Sequence, residues 1–548
     1  MLPKTSSAAR WLSCVVVLAV VLGVLFRIEH AQRRLFWQDE TFTALRVSGH
    51  TDPEFRSLFD GRVHALAAVA KFQRVDPTRG VGATVSGLAA EEPQHPPVFY
   101  VLDHLWATVF GSSIPSLRAL PVIFSLLAVF AAAWLAFELS GSWIVAGCAA
   151  ALMAVSPFFV DYAGQAREYS LWSLCILVAS ALLLRALRSH EASDWCWYGI
   201  SMTVGLYSDL LMVCVLASHA AYVALRYRRD FAALGGFAVA AAASVVIFLP
   251  WAVICYLGRH QMEVQTQWAL APYAPRLMLE KWLFNTASVL FDAEYASMIL
   301  APVAGILLLL LIYGAFRMFR SERRSVALFL LTLGAVIVVE QVATDVVTHG
   351  HQSTTARYLI PLWTAFLVSS SLLFGRLIAD GSGAVRKGWF AAFCAVLMCA
   401  TASSAINSSA TVWWDNNDNY PSTSIAKDIN ASSTPPLVVS EGHWTEVLVM
   451  SHYLEPQARF LLFKTQPPFP LPIAQDAFLL APSAATLRAF RAQPGYAVVP
   501  VPVAPLESAA ILSFHKAVQK SEKDVVASDR AKWQSTFLFR LESRVASI

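Results

Sequence analysis

Long apolar runs separated by short basic stretches dominate the first 406 residues. Runs at 11–26, 117–138, 143–159, 169–187, 231–257, 298–318, 326–347, 358–377 and 388–406 are close to the roughly twenty residues that a helix needs to cross a bilayer. The stretch 195–226 is interrupted by Ser208-Asp209 and is too long for one span, so it divides into 195–207 and 210–226. The pattern predicts about eleven transmembrane helices. Two segments, 29–116 and 258–295, are too polar to span and predict external loops. Within the first of these, 98–110 is apolar but short, which suits a helix lying along the interface.

From residue 407 the pattern changes abruptly. A polar entry (Trp413 to Pro421) leads into short apolar runs at 437–440, 459–463, 477–480, 497–501 and 536–541. These have the length and bounding residues of strands, while 444–453 and 483–491 have helical spacing. Strands alternating with helices predict a small α/β domain. The chain thus divides into a membrane domain, 1–406, and a C-terminal α/β domain, 407–548.

Charge placement orients these elements. Lys4 and Arg10 precede the first run, and Arg27, Glu29, Arg33 and Arg34 follow it with no small-residue cleavage site, so that run is an uncleaved first span. With the N-terminus cytoplasmic, the inner loops carry Arg185/Arg188, Arg226/Arg228/Arg229, Arg317/Arg320/Arg323/Arg324 and Arg376/Arg386/Lys387, as the positive-inside rule requires. An odd number of spans then leaves the C-terminal domain extracytoplasmic. The expected location is the inner (plasma) membrane, crossed many times. Composition agrees: 57% of the 548 residues are hydrophobic and 14% charged, with a mean hydropathy of +0.54. A soluble chain of this size could not hide so much apolar surface. There is no basic tail and no zinc-type cysteine spacing, so nucleic acid is not an expected partner. The eight cysteines all lie in or beside apolar runs, which leaves the C-terminal part without a disulfide framework.

Three polar clusters fall at what this topology makes one face: Asp39-Glu40 after the first span, Gln94 to Tyr100 before the second, and Ala166 to Tyr169 opening the fourth. Their company points to a site. Taken in order, Asp39-Glu40, His95-Pro96-Pro97-Val98-Phe99-Tyr100, Ser156-Pro157-Phe158, Ala166-Arg167-Glu168-Tyr169-Ser170 and Arg357-Tyr358-Leu359-Ile360-Pro361 resemble the integral-membrane glycosyltransferases of the GT-C type. The resemblance is to the bacterial branch related to protein O-mannosyltransferases and lipid A aminoarabinose transferases. The resemblance runs from about residue 11 to 406. It implies an all-α polytopic membrane protein with a GT-C fold and transfer of a hexose or pentose from a polyprenyl-phosphate sugar donor. The acceptor would be a lipid, a glycan or a protein on the outer face.

Such a transfer needs a base for the acceptor hydroxyl and positive charge for the departing phosphate. Asp39 suits the base, with Glu40 and Glu168 beside it in the catalytic group. His95, Arg167, Tyr169, Arg357 and Tyr358 form the substrate-binding group, with Arg357 aimed at the carrier phosphate. A divalent cation shared by Asp39 and Glu168 stays open, although two oxygen ligands are too few to predict one. Each residue also has a plainer reading: Asp39 as the cap of a helix beginning near Thr41, Glu40 as a partner of Arg46, Arg167–Glu168 as a surface pair, and Arg357 as a side chain reaching for lipid headgroups. His349 and His351 either line the site or are solvated. A polytopic transporter or exporter of glycolipid or polysaccharide is the alternative. It would place its ionisable groups at mid-membrane, whereas here the acidic candidates within spans are few, chiefly Glu340 and Asp209, and the notable clusters lie at the outer ends.

Overall fold

A computed structural model describes residues 7–292, parts of 302–314, 324–414, 419–441, 444–469, 471, 476–502 and 538–543. Among the described residues, seven helices are long and apolar enough to cross a membrane: Trp11–Arg33, Ile114–Ser140, Tyr169–Ser189, Phe231–Leu257, Arg324–Thr348, Ala356–Asp380 and Gly383–Ser409. An eighth span is bent by 57° where Trp143–Val155 meets Pro157–Gly164. Ser156 and Pro157 cause that break, because proline removes a backbone donor and crowds the preceding turn. The divided stretch forms two 15-residue helices, Ala192–Leu206 and Met212–Arg226, joined by a turn at Ser208-Asp209. The span predicted at 298–318 lies outside the described residues. The chain is a multi-pass membrane protein, and Val98–Phe110 is the short apolar helix its sequence suggests.

The chain forms two compact units, each discontinuous in sequence. The first comprises 1–34, 88–99 and 118–410; the second comprises 35–87, 100–117 and 411–548. The second unit holds a six-stranded sheet, β1 (Val63–Ala65), β2 (Leu437–Glu441), β3 (Arg459–Phe463), β4 (Ala477–Leu480), β5 (Tyr496–Pro500) and β6 (Leu538–Ser543). Its order is β1-β3-β2-β4-β6-β5. Strand β2 is parallel to both β3 and β4, and the helix Trp444–Met450 makes the first crossover. The pairs β1–β3, β4–β6 and β5–β6 are antiparallel.

Strands β2 to β6 coincide with the predicted runs to within two residues. β1 does not appear in the sequence reading, because three residues carry no periodicity. It comes from the long segment 29–116 and pairs its Val63 with Leu461 of β3. The sharing goes deeper than one strand. Phe55, Phe59, Val69 and Phe72 of that segment lie in one buried core with Ile425, Val438, Leu448 and Phe460. By contacts, then, the first loop and the C-terminal region fold as one unit, and the sequence division at 406 falls inside the helix Gly383–Ser409.

Candidate functional site

In the first unit, Pro157–Asp161 and the 3-10 turn Tyr162–Gly164 lead from the bent span into Arg167 and Glu168. Glu168 occupies the N-cap of Tyr169–Ser189, where its carbonyl accepts from the N–H of Trp172 at 2.9 Å. Its carboxylate is the centre of a compact cluster. Oε1 lies 2.9 Å from His95 Nδ1 and 3.3 Å from Arg167 Nη2. The same Arg167 nitrogen approaches His95 Nε2 at 3.2 Å. The side chains of Glu168 and Arg167 are 3% and 5% exposed, and that of His95 21%, so the cluster opens toward solvent at the histidine. The surface-pair reading of Arg167–Glu168 is therefore wrong: both are buried. Burial alone would raise the Glu168 carboxyl, but the Arg167 charge, and then His95, hold it at about 2.

The loop carrying His95 is held at both ends. The Pro93 carbonyl accepts from Trp251 Nε1 at 3.1 Å and from Cys255 Sγ at 3.1 Å. Gly258 lets the two segments approach, since a Cβ there would fall 2.8 Å from Pro93 Cγ. Beyond the two prolines, the Val98 N–H donates to the Tyr207 carbonyl at 3.0 Å. Asp209 stands in that same turn. Burial and then the Glu168 carboxylate push its carboxyl up to about 8. The sequence reading names Asp209 as part of the break in an apolar stretch and as one of the few acidic residues near mid-span, without assigning it to the site. The interruption of an apolar stretch by Ser208-Asp209 was the available signal.

A second cation approaches from the loop before the span Ile360–Asp380. Arg357, on the 3-10 turn Ala356–Leu359, places its guanidinium 6.0 Å from the ring centre of Tyr169, 5.5 Å from Tyr358 and 5.6 Å from Trp268. Arg167 lies 5.8 Å from Tyr169 on its own account. Two guanidinia and three aromatic rings thus share one neighbourhood at cation–π range. Asp345 accepts from the Ser353 N–H at 3.0 Å, and Asn285 Nδ2 donates to the Thr354 carbonyl at 2.8 Å, so the turn is anchored from two helices. His351 is buried and stacked on Tyr273 at 3.7 Å. Burial drives its imidazole down to about 4, leaving it neutral. His349 is exposed. Beside Leu359 lies a cavity of about 130 Å³, walled by Trp282, Val338, Val342, Leu362 and Trp363 among others.

Asp39 and Glu40 belong to the second unit, in the helix Gln38–Val47. This helix starts earlier than the sequence reading has it. Its N-cap is Trp37, so Asp39 is not a cap but a first-turn residue, where negative charge meets the positive end of the helix dipole. The Glu40 carboxylate accepts from the Trp37 N–H at 3.4 Å. Arg46 is held by Asp52 at 2.7 Å and by the His50 carbonyl at 3.1 Å.

The donor set at Glu168 does not suit a divalent cation. Its Oε1 already faces an arginine and a histidine, and a cation there would be repelled by the guanidinium. Among the described residues there is no group of three or more His, Cys, Asp or Glu that could hold a metal ion.

Residues 94–254, which carry His95, Arg167 and Glu168, match the Dolichyl-phosphate-mannose-protein mannosyltransferase family. Over the whole chain, the structure of ArnT from Cupriavidus metallidurans bound to undecaprenyl phosphate superposes with a TM-score of 0.53 at 13% identity, covering 91% of this chain and 97% of that one. The fold is GT-C. Its other similar structures include the Archaeoglobus fulgidus oligosaccharyltransferase complex with Zn and sulfate, at 13% identity and a TM-score of 0.47. The GT-C chain here spans 62% of that protein's length. No curated protein matches it by sequence.

Proposed function

We propose that the protein is a membrane glycosyltransferase that moves a sugar from a polyprenyl-phosphate-linked donor to an acceptor hydroxyl at the outer face of the membrane. The observation that carries this reading is the meeting of Arg167 and Arg357 at Tyr169, next to the His95–Glu168 pair. Two guanidinia among aromatic rings, at the ends of apolar spans, suit a phosphate whose tail stays in lipid. In the transfer, the bond from the sugar's anomeric carbon to the phosphate oxygen breaks, and the carrier phosphate leaves with the electron pair. The acceptor oxygen bonds to that carbon and gives up its proton. Arg357, with Arg167, neutralises the charge that grows on the phosphate. Glu168 stays ionised and serves to aim Arg167 and His95. Asp39, from the motif after the first span, takes the acceptor's proton. The exposed Trp268 ring beside Arg357 offers a face on which a sugar can stack. ArnT was solved with undecaprenyl phosphate bound, which supports a carrier of that class. The acceptor is a lipid, glycan or protein hydroxyl, and the sugar a hexose or pentose.

Incubating the purified protein with a panel of polyprenyl-phosphate sugars, with products resolved by mass spectrometry, tests the activity. Asp39→Asn keeps the size and the helical position but cannot take a proton, so turnover falls by roughly a hundred- to ten-thousandfold while donor binding persists. Arg357→Ala weakens donor capture as well as turnover. Near wild-type turnover by Asp39→Asn would place the base elsewhere, and unchanged carrier binding by Arg357→Ala would return that arginine to lipid headgroups.

A further inference from the structure

The first span ends in a polar stripe that the proposed chemistry does not use. Arg27, His30 and Arg34 follow the i, i+3, i+7 spacing of one helical face, and all three are buried. Buried charges of this kind persist where every one of them is answered. Their partners lie on the bent span. Arg27 donates to the Ala154 carbonyl at 2.6 Å, to Met153 at 3.1 Å and to Ser125 Oγ at 2.8 Å. Ser404 Oγ donates to the Val155 carbonyl at 2.8 Å. The last-turn acceptors of Trp143–Val155, orphaned by the break, are thereby satisfied. Past the break, Asp161 Oδ1 accepts from Arg34 Nη2 at 2.9 Å; His30 Nε2 accepts from Arg34 Nε at 2.9 Å and lies 3.0 Å from the same Asp161 oxygen. Arg34 also donates to the Asn407 carbonyl at 3.2 Å and to the Asn407 side-chain oxygen. Three residues on, a Cβ at Gly164 would fall 1.8 Å from His30 Nδ1, so only glycine admits the imidazole. The chain then reaches Arg167 and Glu168.

An apolar set of side chains could join these helices as stably, because replacing a buried ion pair with well-packed hydrophobic groups is often neutral or better. What the polar set adds is direction: an arginine bonded at once to the Asp161 carboxylate and to His30 fixes both the position and the angle of the segment bearing that carboxylate. We propose that His30, Arg34 and Asp161 are positioning residues of the transfer site, holding the outer end of the bent span so that Arg167 and Glu168 meet His95. This inference rests on the transferase reading.

The test is a double-mutant cycle in the purified full-length protein, with donor KM, kcat, binding of undecaprenyl phosphate alone and melting midpoint measured for each variant. Asp161→Asn keeps the shape and loses the charge. It is expected to lower kcat by on the order of a hundredfold, as a site misplaced by about 1 Å does, with carrier binding and melting midpoint little changed. Combined with Glu168→Gln it should cost nothing further, because both changes act on one arrangement. Arg34→Gln is run in the same cycle should Asp161→Asn not fold. Wild-type kcat in these variants, losses that simply add to those of Glu168→Gln, or failure of both to fold would each overturn the proposal. A wild-type protein that turns over no polyprenyl-phosphate sugar would instead sink the transferase reading and this inference with it. Wild-type turnover with an indifferent Asp161 sinks this inference alone.

Discussion

Two carboxyl groups in neighbouring turns of the first unit are driven in opposite directions. Glu168 is held at about 2 against its burial by Arg167 and His95. Asp209 rises to about 8 because burial and then the facing Glu168 carboxylate outweigh the Arg167 charge. The folded protein therefore keeps a proton on Asp209 that the unfolded chain releases near pH 4. Between about 4 and 8 the folded state binds more protons than the unfolded one, so this group's contribution to stability falls as pH rises through that window and is level above it. Asp209→Asn has nothing to titrate there. Its melting midpoint in detergent is expected to exceed that of the wild type increasingly from pH 5 to pH 8. Parallel pH profiles for the two proteins would show that Asp209 ionises normally.

At the scale of elements, close approach and buried polar contacts explain why spans of awkward length stay in place. The two 15-residue helices are short for a bilayer, yet His219 ties them to a third. It lies 3.2 Å from Ser180 Oγ and 3.2 Å from the Tyr198 hydroxyl. Such interhelical bonds average about 0.6 kcal/mol each in membranes, so they register the helices more than they stabilise them. Glycine does more where helices touch. At Gly23 a Cβ would fall 2.3 Å from the Ala154 carbonyl oxygen, the same acceptor that Arg27 uses. Gly23→Val must push the first span off the bent one and loosen the Arg27 contacts. A loss of about 1–3 kcal/mol is expected from overpacking, read as a lowered melting midpoint in detergent. An unchanged midpoint would show that the two helices part without cost.

The whole molecule is divided by contact rather than by sequence order. Phe55, Phe59, Val69 and Phe72 have their core partners more than 350 residues away, at Ile425, Val438 and beyond. A chain ending at Ala410 would leave those rings exposed, so its first loop is expected to be cut by protease at concentrations that spare the full-length protein. Equal resistance of the loop in both would mean that it folds without the C-terminal region. The topology has its own check. A reporter active only in the cytoplasm, fused after Ile548, is expected to stay silent, and activity there would remove one span from the count.

Most of the spans and five of the six strands were legible along the chain, because each depends on the local period of apolar residues. The motif residues His95, Arg167, Glu168, Tyr169, Arg357 and Tyr358 were legible too, as polar groups at the ends of spans. Their mutual contacts were not, since nothing local relates residue 95 to 168 or 169 to 357. The stripe of Arg27, His30 and Arg34 had a readable spacing, but beside a membrane it looks like ordinary flanking charge until Asp161 is found opposite. Strand β1 and the rings of the first loop show the same limit. Period and charge specify which face of an element is apolar or polar, whereas the choice of partner across hundreds of residues is made only when the folded chain closes over them.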